Sequence, residues 1–171
     1  MKDTKKMVLL AILTSVAVCL SLIDKTITPL AFPVLPTAKI GLANIIVLIA
    51  IYNFNFKETL TLVIIKILIA NLIFGSLTSL IIGGSASLLS FLSMYGLQRI
   101  SNKYVSGIGI SVLGGFLHII VQLFVTMLIY QLGDVVMYFG AILVFISLIS
   151  SILIGIIVNR LKAYLDKQNI K

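Results

Sequence analysis

Of 171 residues, 60% are hydrophobic and 11% charged, and the mean hydropathy is +1.22, whereas soluble domains run at roughly 45–50% apolar and about 25% charged. Such a chain is an integral membrane protein of one domain, long enough for at most about six or seven helical crossings of roughly 20 residues, which leaves no room for a soluble catalytic domain. The net charge of +8, from 13 Lys+Arg against 5 Asp+Glu, is spread between and beyond apolar runs and not along a polar face, so it reports orientation in a lipid bilayer and not nucleic-acid binding.

Residues 7–23 form a charge-free run behind Lys2, Lys5 and Lys6. No small-x-small cleavage site follows, so the run reads as a retained first helix and not as a secretory signal. Cys19, the one cysteine, lies within it, which excludes a disulfide framework and a Cys-rich metal site. Residues 24–39 carry all three prolines, Pro29, Pro33 and Pro36, and this predicts an external connection in place of a regular helix. A second uncharged run covers 40–56. Between Lys57-Glu58 and Arg99 the one charge is Lys66, and about 40 residues at 1.5 Å each reach roughly twice the ~30 Å hydrocarbon thickness. The chain must turn, and Gly83-Gly84-Ser85 predicts where, with a third helix over 57–82 and a fourth over 84–98. The polar residues 101–103 lead to a fifth span at 104–132, and Gly133-Asp134 to a sixth at 135–159.

The runs are too long for strands and lack period-two alternation, which excludes a membrane barrel. The expected fold is all-α with six transmembrane helices. Six crossings place Lys2, Lys5, Lys6, Lys57, Arg99, Lys103, Arg160, Lys162, Lys167 and Lys171 on one side, against Lys25 and Lys39 on the other. By the positive-inside rule both termini are cytoplasmic.

Lys66 lies nine residues beyond Lys57, roughly 13 Å along a helix and so near mid-bilayer, where a Lys costs on the order of 2.5–3.5 kcal/mol. Glu58 is about 12 Å away along the axis, and no acid is expected deep inside a span. Lys66 therefore faces an anionic ligand or a polar cavity, or else it snorkels or pairs with a carboxylate. His118 and Gln122 are one turn apart in the fifth helix, on a stripe continued by Ser111, Gly115 and Thr126, and either contact a ligand or bond between helices. Asn44 and Asn71 complete the polar candidates, with Lys39 at the rim. Lys66 and Asn71, five apart, are about 140° apart around the helix and need not face one cavity. Small-xxx-small stripes occur at Ala11/Ser15 and Ala17/Ser21 in the first helix and along Gly140, Ser147, Ser151, Gly155 and Asn159 in the last. They permit close helix approach, most often as internal packing.

The sequence holds no phosphate-binding GxxxxGK[ST] loop, no Asp-rich cluster for magnesium diphosphate, no paired carboxylates and no triad. The chain therefore reads as neither an ATPase nor an enzyme, with no cofactor implied.

The segment Pro36-Thr37-Ala38-Lys39-Ile40-Gly41-Leu42-Ala43-Asn44-Ile45 resembles the Pro-Gly-x-Lys-Leu-Gly-Leu-Ala-Asn signature of small bacterial membrane proteins known both as heptaprenyl diphosphate synthase component I and as the Gx transporter family. These in turn resemble the substrate-binding S components of energy-coupling factor (ECF) transporters. Lys66, Phe74-Gly75-Ser76, Gly83-Gly84 and His118-x3-Gln122 extend the resemblance over most of the chain, while Thr37 stands where the family has Gly and Asp24 where a Glu is expected. The resemblance implies a six-helix S-component-like bundle with an outward-facing ligand site. It also implies a first-helix surface, matched here by Ala11 and Ser15, that docks on a transmembrane coupling subunit with two ATPases beneath. The expected function is binding of a small anionic metabolite such as a flavin nucleotide, a vitamin or an isoprenoid diphosphate. Lys39, Lys66 and His118 would supply charge and hydrogen bonds, and Asn44, Asn71 and Gln122 would orient the ligand. The enzyme-like family name implies the alternative, a non-catalytic membrane partner of a prenyl diphosphate synthase.

Overall fold

The computed structural model describes residues 3–31, 41–101, 105–131 and 133–167. These form six helices: α1 (Asp3–Ala31), α2 (Asn44–Asn53), α3 (Phe56–Phe74), α4 (Leu77–Ser101), α5 (Gly107–Tyr130) and α6 (Gly133–Lys167). Four of them contain stretches long and apolar enough to cross a membrane, Thr4–Ile27, Leu77–Ile100, Gly107–Tyr130 and Tyr138–Ala163. The 19 residues of α3 rise about 28 Å, close to the hydrocarbon thickness, but include Lys57, Glu58 and Lys66.

Helix α2 has ten residues, about 15 Å, too short to cross unaided. It is apolar nearly all round, the pattern of a helix surrounded by protein, and it touches every other helix. Val47, Leu48, Ala50 and Ile51 are buried in the main apolar cluster with Leu62, Val63, Phe91, Met94 and Ile110. The outer helices pack around it in sequence, with α5 on α6 and α4 on α5 the most extensive pairs, while α1 packs on α3 and α2.

Three expected boundaries are corrected. The segment 24–39 does not leave the first helix at Asp24: α1 continues through Pro29 to Ala31, because 24–28 holds no breaker and a proline close to a helix end forfeits few backbone bonds. The second run is not helical from residue 40. Gly41 takes a left-handed φ of 92°, and helix starts only at Asn44. Finally, the chain turns at Gly75-Ser76 and not at Gly83-Gly84. The Asn71 carbonyl accepts the Gly75 N–H at 2.8 Å in a fit that a Cβ at Gly75 would break. Ser76 then caps α4, its hydroxyl accepting the Ser79 N–H at 3.1 Å. Gly83 and Gly84 lie inside α4, where Gly83 lines a polar cavity.

Candidate functional site

The five elements other than α6 meet around one polar cavity. Its wall is Ser21 and Asp24 of α1, Gly41, Ala43 and Asn44 at the start of α2, Lys66, Ile67, Ala70 and Asn71 of α3, Gly83 and Ser87 of α4, and His118 of α5. The free space is about 20 Å³, room for one ordered water, so a metabolite requires the walls to separate.

Asp24 is the residue that sequence reasoning misplaced. Expected in an external connection, it is 2% exposed, and its Oδ2 accepts the Gly41 N–H at 2.6 Å and the Leu42 N–H at 3.1 Å. Two backbone donors ahead of the first turn of α2 are thereby satisfied by a carboxylate, which stabilises that turn through charge-assisted hydrogen bonds. Gly41 is required here twice over. Its φ is left-handed, and a Cβ would press on the Asn44 amide at 3.1 Å. Lys66, 3% exposed, shares its cavity with Asp24, an acid near the end of the apolar stretch Thr4–Ile27 of α1. A carboxylate on the same wall offsets part of the desolvation that an isolated ammonium would suffer.

The remaining candidates divide by what they touch. Asn44 donates through Nδ2 to Ser90 Oγ at 3.5 Å, and Ser90 donates to the Gly114 carbonyl at 2.8 Å, a chain that fixes α2 against α4 and α5. Asn71 lines the same cavity as Lys66 despite their angular offset, since the wall curves around α3. Its Oδ1 accepts from Ser79 at 3.1 Å and its Nδ2 donates to the Ile67 carbonyl at 2.7 Å, so it also braces the α3–α4 turn. His118, 3% exposed, closes the α5 side. Gln122 is buried one turn further along α5 but is not on the cavity wall. Lys39 lies outside the described residues. Ser21, Ser87 and Gly83 are wall residues that the sequence did not single out. Ser21 carried a signal as half of an Ala17/Ser21 pair, and both residues are buried.

Ala11 and Ser15 point away from the cavity. Both are exposed, with the Ser15 hydroxyl donating to the Ala11 carbonyl at 3.0 Å. They border an apolar groove of about 340 Å³ between α1 and α3, lined also by Leu10, Val18, Leu62 and Ile65. At one end of this groove Lys6 pairs with Glu58 at 2.7 Å, and Glu58 accepts the Asn55 N–H at 2.9 Å at the start of α3.

The cavity offers one ammonium, one carboxylate, two amides, two hydroxyls and an imidazole. That donor set suits recognition of a small polar group, and among the described residues no cluster of three His, Cys, Asp or Glu could hold a metal ion. No curated protein and no solved structure matches the chain. A family model described as heptaprenyl diphosphate synthase component I matches residues 13–161, a span that contains the whole cavity wall. That description names a component of the synthase, and the chain is not itself an enzyme. Matched over most of its length, and through the very segment from Gly41 to Asn44 that builds the cavity, the chain belongs to the heptaprenyl diphosphate synthase component I family.

Proposed function

We propose that this chain is a substrate-binding membrane subunit of the S-component type, crossing the membrane six times with both termini cytoplasmic. Its ligand is a small anionic metabolite whose polar head enters the cavity beside Lys66. The observation that carries this reading is the convergence of Asn44, Lys66, Asn71 and His118, from four helices, on one cavity. A buried cation in a membrane helix is a functional-site hypothesis by default, and the neighbouring amides and imidazole supply orienting hydrogen bonds. A flavin nucleotide, a vitamin-like acid and an isoprenoid diphosphate all present such a head. In this reading the exposed Ala11/Ser15 face of α1 docks on a transmembrane coupling subunit served by two ATPases.

The family description favours a second reading, in which the chain is the non-catalytic membrane partner of an enzyme that makes heptaprenyl diphosphate. The two readings share the cavity and differ in the partner. Affinity purification of the full chain from its native membrane separates them, by recovering a coupling subunit with ATPases or a prenyl synthase.

The cavity is tested by mass spectrometry of ligand retained on the purified protein, followed by isothermal titration of that ligand into three versions. Lys66→Met should weaken binding by about 2–5 kcal/mol, the loss typical of a broken buried charge contact, and Lys66→Arg should keep much of the affinity. Because Asp24 shares the cavity, Lys66→Met is compared with Asp24→Asn/Lys66→Met to keep the charge balanced. Unchanged affinity in Lys66→Met overturns the assignment. Topology is tested separately with an impermeant thiol reagent on intact cells lacking Cys19. A cysteine at position 25 or 134 should react, one at position 2 or 169 should be protected, and reaction at 169 sinks the six-crossing arrangement.

A further inference from the structure

Lys25 behaves as the reverse of an ordinary membrane lysine. Long cationic side chains normally keep the stem against apolar surface and deliver the ammonium to water or headgroups. The Lys25 residue is partly exposed, yet its Nζ is enclosed and has no hydrogen-bond partner among the described residues. Enclosing an ammonium without a partner is among the least favourable arrangements a protein can hold. Rules of this kind are broken chiefly where function requires it.

Its place in the fold says which function. Lys25 is four residues beyond Ser21 and next to Asp24, both on the cavity wall, so on helix α1 it stacks one turn above Ser21, at the edge of the cavity furthest from the α1 N-terminus. Charge bookkeeping points the same way. The cavity wall holds one acid, Asp24, and one cation, Lys66, which offset each other. Glu58 is engaged by Lys6 at the far end of α3. Asp134 belongs to α6, which does not touch α1. Among the described residues, Lys25 adds a second cation beside this wall.

We propose that Lys25 is a second anion contact of the ligand site, at its mouth, so that the ligand's anionic head is held between two ammonium groups, Lys25 of α1 and Lys66 of α3. The inference rests on the ligand-binding reading above and deepens it. It assigns the excess charge that selects anions to a residue outside the cavity wall, and it specifies a phosphate or diphosphate head, which can accept from two cations on different sides.

The probes are inorganic phosphate and inorganic diphosphate, added at constant ionic strength to the full chain in neutral detergent, with thermal unfolding as the readout. Both should raise the midpoint of the unaltered protein, diphosphate at lower concentration. Lys25→Met should raise the midpoint of the ligand-free protein, because it removes an enclosed charge that has no hydrogen-bond partner among the described residues, and should shift the half-saturating diphosphate concentration upward at least ten-fold. Lys25→Arg should stay within about three-fold of the unaltered protein. A lower ligand-free midpoint in Lys25→Met would show a structural role and overturn the proposal, as would a diphosphate response equal to that of the unaltered protein. No stabilisation of the unaltered protein by either anion overturns it as well. The outcomes also separate it from the reading on which it rests. If Lys66→Met loses the response and Lys25→Met keeps it, the cavity stands and the Lys25 assignment falls; the reverse pattern keeps Lys25 and removes Lys66.

Discussion

The small residues of the α5–α6 contact and those on the exposed face of α1 are used in opposite ways. On α6, Gly155 sits against the backbone of Ile108, Ser151 against Gly115, and Ser147 donates to the Gly115 carbonyl at 3.2 Å. On α1, Ala11 and Ser15 are exposed and border a groove of about 340 Å³ between α1 and α3. In a bilayer, where lipid tails are as apolar as leucine, helix association depends on close backbone approach and interhelical hydrogen bonds. The α5–α6 pair has both, while the α1 face exposes small residues that would permit close approach. The polar cavity lies between these regimes, with His118 on the tightly packed side and Ser21 and Asp24 on the loosely packed one. Widening of the 20 Å³ cavity is therefore expected to come from α1 and not from α5 or α6.

The sharpest way to break the comparison is to enlarge one small residue on each side. Gly155→Leu forces a branched side chain into the Ile108 backbone, which cannot retreat as a flexible side chain would. Overpacking of this kind costs about 1–3 kcal/mol and more where backbone must move. The expected outcome is loss of monodisperse protein or a strongly lowered unfolding midpoint in detergent. Gly115→Leu, facing Ser151 and Ser147, should be milder because the Ser151 hydroxyl can rotate away, which leaves the Ser151 Cβ, 2.9 Å from the added Cβ, as the group that must shift. If both variants unfold like the unaltered protein, the α5–α6 contact is not the rigid half of the molecule.

Next in size is the carboxylate of the cavity. Asp24→Ala strips the acceptor from the Gly41 and Leu42 N–H groups and removes the acid that shares the cavity wall with Lys66, a change of about 1–3 kcal/mol by the usual cost of leaving buried donors without their acceptor. Adding Lys66→Met should restore part of this, and the double variant should be more stable than the sum of the singles by roughly 0.5–3 kcal/mol. Strict additivity in chemical unfolding would show that Asp24 acts solely as the cap of the 41–44 turn.

Where the sequence was legible, the signal was one that the bilayer enforces. Long apolar runs, turn residues and the stranded Lys66 announced an all-helical membrane chain with a polar centre, because no other arrangement satisfies the backbone in lipid. Asn44, Asn71 and His118 stood out for the same reason. What could not be read was decided by tertiary partners. Asp24 looks like the first loop residue after an apolar run, and nothing local indicates that its carboxylate is taken up by N–H groups 17 and 18 residues away. Gly83-Gly84 looks like a turn, yet both lie within α4, where Gly83 lines the cavity, while Gly75-Ser76, with its capping hydroxyl, makes the turn. Lys25 carried the ordinary signature of an outer loop cation, and its enclosed ammonium appears only once α1 is seen to continue past it.

The smallest expected effect on stability falls on the unoccupied side, and there stability and function should part. Ala11→Leu/Ser15→Leu places two large apolar groups on an exposed face already bordered by Met7, Leu10 and Ile65, and an exposed helix surface generally tolerates such changes within about 0.5 kcal/mol. Unfolding in detergent and ligand binding should be nearly unchanged. A partner that needs close backbone approach would be held off by the new side chains, because the small-xxx-small geometry works by having no side chain in the way. Co-purification with a coupling subunit should therefore collapse while the ligand response persists. If partner and ligand binding fall together, or neither falls, the Ala11/Ser15 face has no docking role, and the exposed groove is then simply the surface that α1 and α3 present to lipid.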